Sequence, residues 1–256
     1  MTRPVILVTN DDGMNAPGIA ALVEVARDFG QVIVVAPNSP QSGQGHAITI
    51  ESPLRLNKVD KFEGIDAYEC NGTPADCVKL AKKVLRKDQH IDLCLSGINH
   101  GSNASINIIY SGTMSAAMEA AIEGINSIGF SLLDYNFDAD FSTAQYVVRS
   151  MLEKAMVHGF HDICKLLYVN IPKVSPGELK GIKVCRQADG YWKEEFKVGE
   201  DPRKQKYYWL SGEFVNRDSG DDTDMWALDN GFASVVPSQY DLTHYKSLLS
   251  YNFFEE

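Results

Sequence analysis

The chain has no apolar run approaching the roughly 18–20 residues of a membrane helix, so no segment is a candidate to span a bilayer. Its opening, MTRPVILVTNDDG, holds no apolar stretch of leader length, and the expectation is a cytoplasmic protein with no membrane partner. Cysteine is scarce and poorly spaced for staples. The five positions (Cys70, Cys77, Cys94, Cys164, Cys185) are odd in number and include no C-x-x-C, so free thiols are expected in place of a disulfide framework or a thiolate zinc site. Positive charge is short as well. With 24 Lys and Arg against 34 Asp and Glu, the net charge of −10 argues against a nucleic-acid polymer as partner, because such binding rests on clustered basic residues. A small phosphorylated ligand stays compatible, since a metal ion can neutralise it locally. There is no Walker P-loop and no G-x-S-x-G nucleophile elbow, and Gly43-Gln44-Gly45 lacks the third glycine of a dinucleotide fingerprint.

What is present is alternation. At 256 residues and 44% hydrophobic content the chain can bury a sizeable core, read as one domain over 1–256. Val5–Val8, QVIVVAP (31–37), IDLCLSG (91–97), SIGFSLL (127–133) and LLYVNIP (166–172) read as strands apolar on both faces. Between them, APGIAALVEVARDFG places Ile19, Leu22, Val23, Ala26 and Phe29 at helical spacing, with Asn15 able to cap, Pro17 in the first turn and Gly30 as stop. Thr73 and Asp76 stand at capping-box spacing around Pro74, so a helix follows there. SGTMSAAMEAAIEG opens another, and 142–158 suits a fourth. Such alternation predicts a Rossmann-like α/β fold, a mainly parallel sheet covered by helices on both faces. After about residue 175 the pattern changes. GIKVCRQ, YYWLSGEFV and FASVVP look like β-hairpin material, and the apolar tail YKSLLSYNFF closes the chain. The reading is a core over about 1–175 and an extension over about 176–256 that serves oligomerisation.

In open α/β sheets, ligands bind outside the carboxyl ends of the strands. The chain's polar clusters fall there repeatedly. Asn10-Asp11-Asp12-Gly13 ends the first strand, APNSPQSGQG (36–45) follows the second, SGINHGSN (96–103) follows the third, and YSGT (110–113) leads into a helix. Asp-Asp-Gly on its own is also a common solvated turn. At the end of a buried strand, however, two adjacent carboxylates are a costly like-charge pair unless a cation lies between them. Ser42 and Asn99 could serve only their own loops, yet both offer the hard oxygen atoms that Mg²⁺, Mn²⁺ or Ca²⁺ prefer. Asp11, Asp12, Ser42 and Asn99 are therefore the candidate ligands of one divalent cation per subunit. Ser111, Gly112 and Thr113 suit an anion cradle at a helix start, or plain capping, and Asn103 could donate to the same anion. His46 and His100 lie in the same loops, where each could act as acid or base or stand outside the site. Asp134, Asp138 and Asp140 read as a solvated loop.

Together the stretches ILVTNDDGMNAPGI, APNSPQSGQGHAIT, CNGTPADCVKLA, LSGINHGSN, YSGTMSAAMEAAIEG, VNIPKV, DPRKQKYYWLSG and TDMWALDNGFASVVP resemble the SurE family of survival proteins, in order and over residues 6 to 237. The resemblance implies a metal-dependent 5′-nucleotidase that converts nucleoside 5′-monophosphates to nucleoside and phosphate with a metal-activated water. It implies that Asp11 and Asp12 are the catalytic pair and bind metal with Ser42 and Asn99, the ion being Mg²⁺ or Mn²⁺. It places Asn103 and Ser111 to Thr113 at the phosphate, and it implies a C-terminal β-extension that builds a homodimer or homotetramer. This chain departs from the family at Met114 and Ser115, where Val and Gly are frequent, and at Ala121, where Gly is frequent. Two rivals stay open. One is a nucleotide-binding module without catalysis; the other is a nucleotide-sugar transferase, which also places metal-bound aspartates near a Rossmann-like sheet.

Overall fold

A computed structural model describes residues 3–255. Nine strands form one sheet: β1 (Val5–Thr9), β2 (Gln31–Pro37), β3 (Leu56–Val59), β4 (Asp66–Cys70), β5 (Leu93–His100), β6 (Asn126–Leu132), β7 (Leu166–Ile171), β8 (Ile182–Val184) and β11 (Ala233–Ser238). The remaining two, β9 (Gly190–Glu200) and β10 (Lys206–Asn216), pair only with each other as an antiparallel hairpin. The helices are α1 (Pro17–Phe29), α2 (Pro74–Leu80), α3 (Gly112–Ile122), α4 (Ser142–His158) and α5 (Asp224–Asp229).

The apolar strand runs follow from burial on both faces. In β1, Ile6 and Val8 point into one core with Ile19 and Leu22 of α1 and Val147 and Leu152 of α4. Leu7 points the other way, into a core with Cys77 and Val78 of α2 and Ala116 and Ala120 of α3. Successive strand side chains face opposite sides, so a strand sandwiched between helices needs an apolar residue at every position. Ile19 and Leu22 are fully buried, each stabilising the fold by roughly 1.5–3 kcal/mol relative to exposure.

The strand order is β3-β4-β2-β1-β5-β6-β7-β11-β8. From β1 the chain moves to β2 and β4 on one side, then returns to lay β5 on the other, parallel to β1 in both directions. The order therefore reverses between β1 and β5, and a crevice opens at their carboxyl ends. The loops after β1 and β2 and the end of β5 meet there.

Several expectations need correcting. The residue preceding α1 in cap position is Ala16, which makes no side-chain cap; Asn15 instead accepts a hydrogen bond from Lys61 Nζ at 3.0 Å, and the first turn rests on Pro17 at its start. Strands β3 and β4 are unanticipated because LNKV and DAYEC mix polar and apolar residues on each face, giving neither clean alternation nor a continuous apolar run. GIKVCRQ and FASVVP are not hairpin strands: β11 runs antiparallel to β7 and parallel to β8, inside the main sheet. Asp134 is buried, paired with Lys173 at 3.0 Å and bonded by Asn136, and Asp140 accepts from the Ser142 amide at the start of α4. Asp138 and Asp140 are exposed in the loop as expected, and only Asp134 departs from that reading.

Candidate active site

Asn10 shapes the turn after β1. Its side chain donates to the Gly13 carbonyl at 3.0 Å and accepts from the Gly13 amide at 3.2 Å, and Gly13 supplies the left-handed φ of +94° that the turn requires. This brings Asp11 and Asp12 to the switch point. Asp11 is 3% exposed. Its carboxylate accepts from the Thr113 hydroxyl at the start of α3, and its carbonyl accepts from the Gln41 amide at 2.7 Å. Asp12 accepts from the His100 amide at 3.3 Å. Burial, reinforced by the charge of Asp12, pushes the Asp11 carboxyl up to about 6 against the pull of Thr113. Burial raises Asp12 too, opposed by His100.

The remaining candidates arrive from three other elements. Ser42 sits in the loop after β2, Asn99 at the end of β5, and Asn103 just beyond. These three line one cavity of about 280 Å³ with Asp11, Ser111 and His100. Asn99 commits its Nδ2 to the carbonyls of His100 and Gly101, at 3.2 and 3.1 Å, which leaves its Oδ1 as the atom available to a ligand. Asn103 Nδ2 donates to Ser131 Oγ at 2.7 Å, and its amide donates to Asn170 Oδ1 at 2.9 Å. A neighbouring cavity of about 440 Å³ is bordered by Asp12, Met14, Asn38, Pro40 and Phe137, and shares His100 and Tyr135 with the first.

The YSGT stretch divides its labour. Ser111 caps α3, its Oγ accepting from the Met114 amide at 3.1 Å. Thr113 is fully buried and its hydroxyl is spent on Asp11. A Cβ on Gly112 would lie 2.7 Å from Asp11 Cβ, so glycine here is required by the close approach of α3 to the β1 turn. The Gly112 and Thr113 amides stand in the first turn, before the helix can satisfy them.

Among the described residues, no three His, Cys, Asp or Glu side chains gather to hold a metal. An ion here would be held by two carboxylates with a hydroxyl and an amide oxygen. That set fits a hard divalent cation. The fit rests on the adjacent carboxyls of buried Asp11 and half-buried Asp12, each raised by burial with no Lys or Arg paired to it among the described residues.

Sequence reasoning missed Asn107, Tyr110, Tyr135 and Trp192, which complete the smaller cavity. Trp192 belongs to β9, and its Nε1 donates to Asn107 Oδ1 at 2.7 Å. Tyr110 opens the YSGT stretch itself, so its place at the ligand edge is legible in the sequence. Trp192 carried no local signal, since only the tertiary fold brings the hairpin base here.

A switch-point crevice whose polar loops converge on paired carboxylates and a helix start defines a ligand-binding α/β protein of the Rossmann-like type. The family model for Survival protein SurE matches residues 6–194, and the chain belongs to that family. It is 54% identical over 253 residues to 5′-nucleotidase SurE of Flavobacterium psychrophilum, covering 98% of each chain. It is 55% identical over 250 residues to 5′-nucleotidase SurE of Cytophaga hutchinsonii, covering 97% of this chain and 95% of the relative. The crystal structure of the SurE protein from Aquifex aeolicus is similar at a TM-score of 0.85 with 40% identity, over 99% of this chain and 100% of that one.

Proposed function

We propose that this chain is a metal-dependent 5′-nucleotidase that hydrolyses nucleoside 5′-monophosphates to nucleoside and inorganic phosphate. The observation that carries this reading is the adjacent Asp11–Asp12 pair, Asp11 buried at a small cavity whose rim includes the N-cap of α3 and Asp12 at the larger cavity beside it. The relatives' shared name, 5′-nucleotidase SurE, supports the same activity. Asp11, Asp12, Ser42 and Asn99 would hold one Mg²⁺ or Mn²⁺ per subunit. When bound, such an ion supplies charge for a phosphoryl oxygen and a lowered pKa for water. The chain's own residues do the rest. Thr113 fixes the orientation of the Asp11 carboxylate. Asn103 and the first amides of α3 neutralise charge on the equatorial phosphoryl oxygens, where a helix start favours an anion. The larger cavity beside Asp12, walled by Met14, Pro40, Tyr135 and Phe137, has room for the nucleoside. The working form is a cytoplasmic homodimer or homotetramer, a reading supported by its free cysteines and its exposed C-terminal apolar surface.

The test is phosphate release from a panel of 5′- and 3′-mononucleotides with Mg²⁺, Mn²⁺ or EDTA. Metal-dependent release from 5′-monophosphates, abolished by EDTA, is expected. Nucleotide binding without release would support a binding module instead. Cleavage confined to nucleotide sugars in the presence of an acceptor would support the transferase.

A further inference from the structure

Ser42 is an exposed serine in an irregular loop, so something must set its position. The chain before it is fixed by the Gln41 amide donating to the Asp11 carbonyl at 2.7 Å, and the chain after it by the Gly45 amide donating to the Tyr110 carbonyl at 3.0 Å. The next side chain along, His46, reaches down to α3. Its Nε2 lies 2.8 Å from Oε2 of Glu119, whose side chain is 4% exposed. The other oxygen of Glu119 accepts from Lys79 Nζ of α2 at 2.6 Å. Burial alone would raise the Glu119 carboxyl, but the hydrogen bonds from His46 and Lys79 hold it below its ordinary range. Beyond His46 the loop is tied again, by Thr73 Oγ1 donating to the Ala47 carbonyl at 2.7 Å.

Glu119 lies in the same helix whose first turn holds Ser111, Gly112 and Thr113. The His46–Glu119 contact therefore binds the Ser42 loop to the element that also fixes Asp11 through Thr113. A buried carboxylate in the middle of a helix is costly unless paired. A purely structural role would be served as well by an apolar residue.

We propose that His46 and Glu119 are positioning residues for the metal site, holding Ser42 at ligating distance from an ion on Asp11 and Asp12. The inference rests on the proposed metal site and adds to it a tie that passes through neither carboxylate ligand. Lys79 completes the pairing of Glu119 and leaves it a fixed, ionised anchor.

The test measures Mn²⁺ affinity of the metal-free full chain by calorimetry, with thermal melts to verify folding. His46 is a partly exposed loop residue, so His46→Ala removes the tie without opening the core. That variant should bind Mn²⁺ about tenfold more weakly, the scale on which groups behind metal ligands act. His46→Gln, which can still donate to Glu119, should recover most of the loss. In a Ser42→Ala background, His46→Ala should cost little more, because residues acting through one another are not additive. Wild-type Mn²⁺ affinity in folded His46→Ala, or a full further loss in the Ser42→Ala background, would overturn the proposal. Unchanged affinity in Ser42→Ala would take Ser42 out of the ligand set, and the proposal with it. Absence of Mn²⁺ binding by the wild-type chain would instead overturn the metal-site reading, so the two failures are separable.

Discussion

At Asp11, burial and the neighbouring Asp12 carboxylate act in the same direction, and together they lift the carboxyl from an ordinary 3.8 to about 6. In the unfolded chain this group ionises first as pH rises. The contribution of its protonated form to stability is therefore complete below about pH 4 and lost as pH climbs through about 6. A rise of that size corresponds to roughly 3 kcal/mol between the two limits. The metal-free protein should accordingly melt at lower temperature at pH 7.5 than near pH 5 on this account. Asp11→Asn should flatten that fall and raise the melting temperature at pH 7.5 in EDTA. It should also weaken Mn²⁺ binding at least tenfold, since hard cations depend on ligand charge, and nearly abolish turnover. A solvated turn predicts no change in any of these. Melts in EDTA and Mn²⁺ across pH, with metal titration, decide between them. Wild-type affinity and activity in the variant would remove Asp11 from the site, and Asp12→Asn is the independent repeat.

Helix α3 joins the two halves of the chemistry at its first turn. Gly112 lets the helix approach the β1 turn so closely that an added Cβ would meet Asp11, while Thr113 bonds the same carboxylate. Gly112→Ala should therefore displace Asp11 as well as crowd the anion cradle. Inhibition by inorganic phosphate and Mn²⁺ affinity should weaken together, by about tenfold or more each. A folded variant that keeps normal phosphate inhibition would mean the cradle lies elsewhere. The same element shows what the sequence makes legible. Ile6 to Val8 announce their strand because burial on both faces makes every position apolar, and Ile19 and Leu22 their helix because burial of one face imposes the helical period. The clusters at Asp11, Ser42, Asn99 and Ser111 are visible because each follows such an element at the ligand edge. The division within YSGT is not, since Thr113 turning inward to Asp11 depends on how closely α3 and β1 pack. Strands β3 and β4 escape notice because each mixes polar and apolar residues on both faces, and FASVVP reads as hairpin material because a short apolar segment does not say which sheet it joins.

Taken as a whole, the molecule buries its core and leaves the β9–β10 hairpin and the closing segment with apolar side chains on the outside. The β9–β10 hairpin has no third strand beside it among the described residues, and Phe196 and Trp209 are 63% and 69% exposed. The closing 3₁₀ segment, Tyr245–Phe254, buries none of its residues and exposes Leu249, Phe253 and Phe254. A lone two-stranded ribbon is marginal in water, and large apolar side chains exposed on both of its faces point to a partner. For a chain like this one, the common partner is a second copy related by symmetry. Removing residues 240–256 should shift the mass measured by light scattering toward the monomer, and Trp209→Asp with Phe196→Asp should do the same from the hairpin side. Function should follow, because Trp192 at the hairpin base donates to Asn107 and borders the site cavity. Dissociated variants should therefore show a raised KM for 5′-mononucleotides while Mn²⁺ affinity, set by Asp11, Asp12, Ser42 and Asn99, stays near wild type. An unchanged mass in both variants would refute assembly through this surface. A dissociated variant with unaltered KM would show instead that the hairpin builds the oligomer without shaping the site.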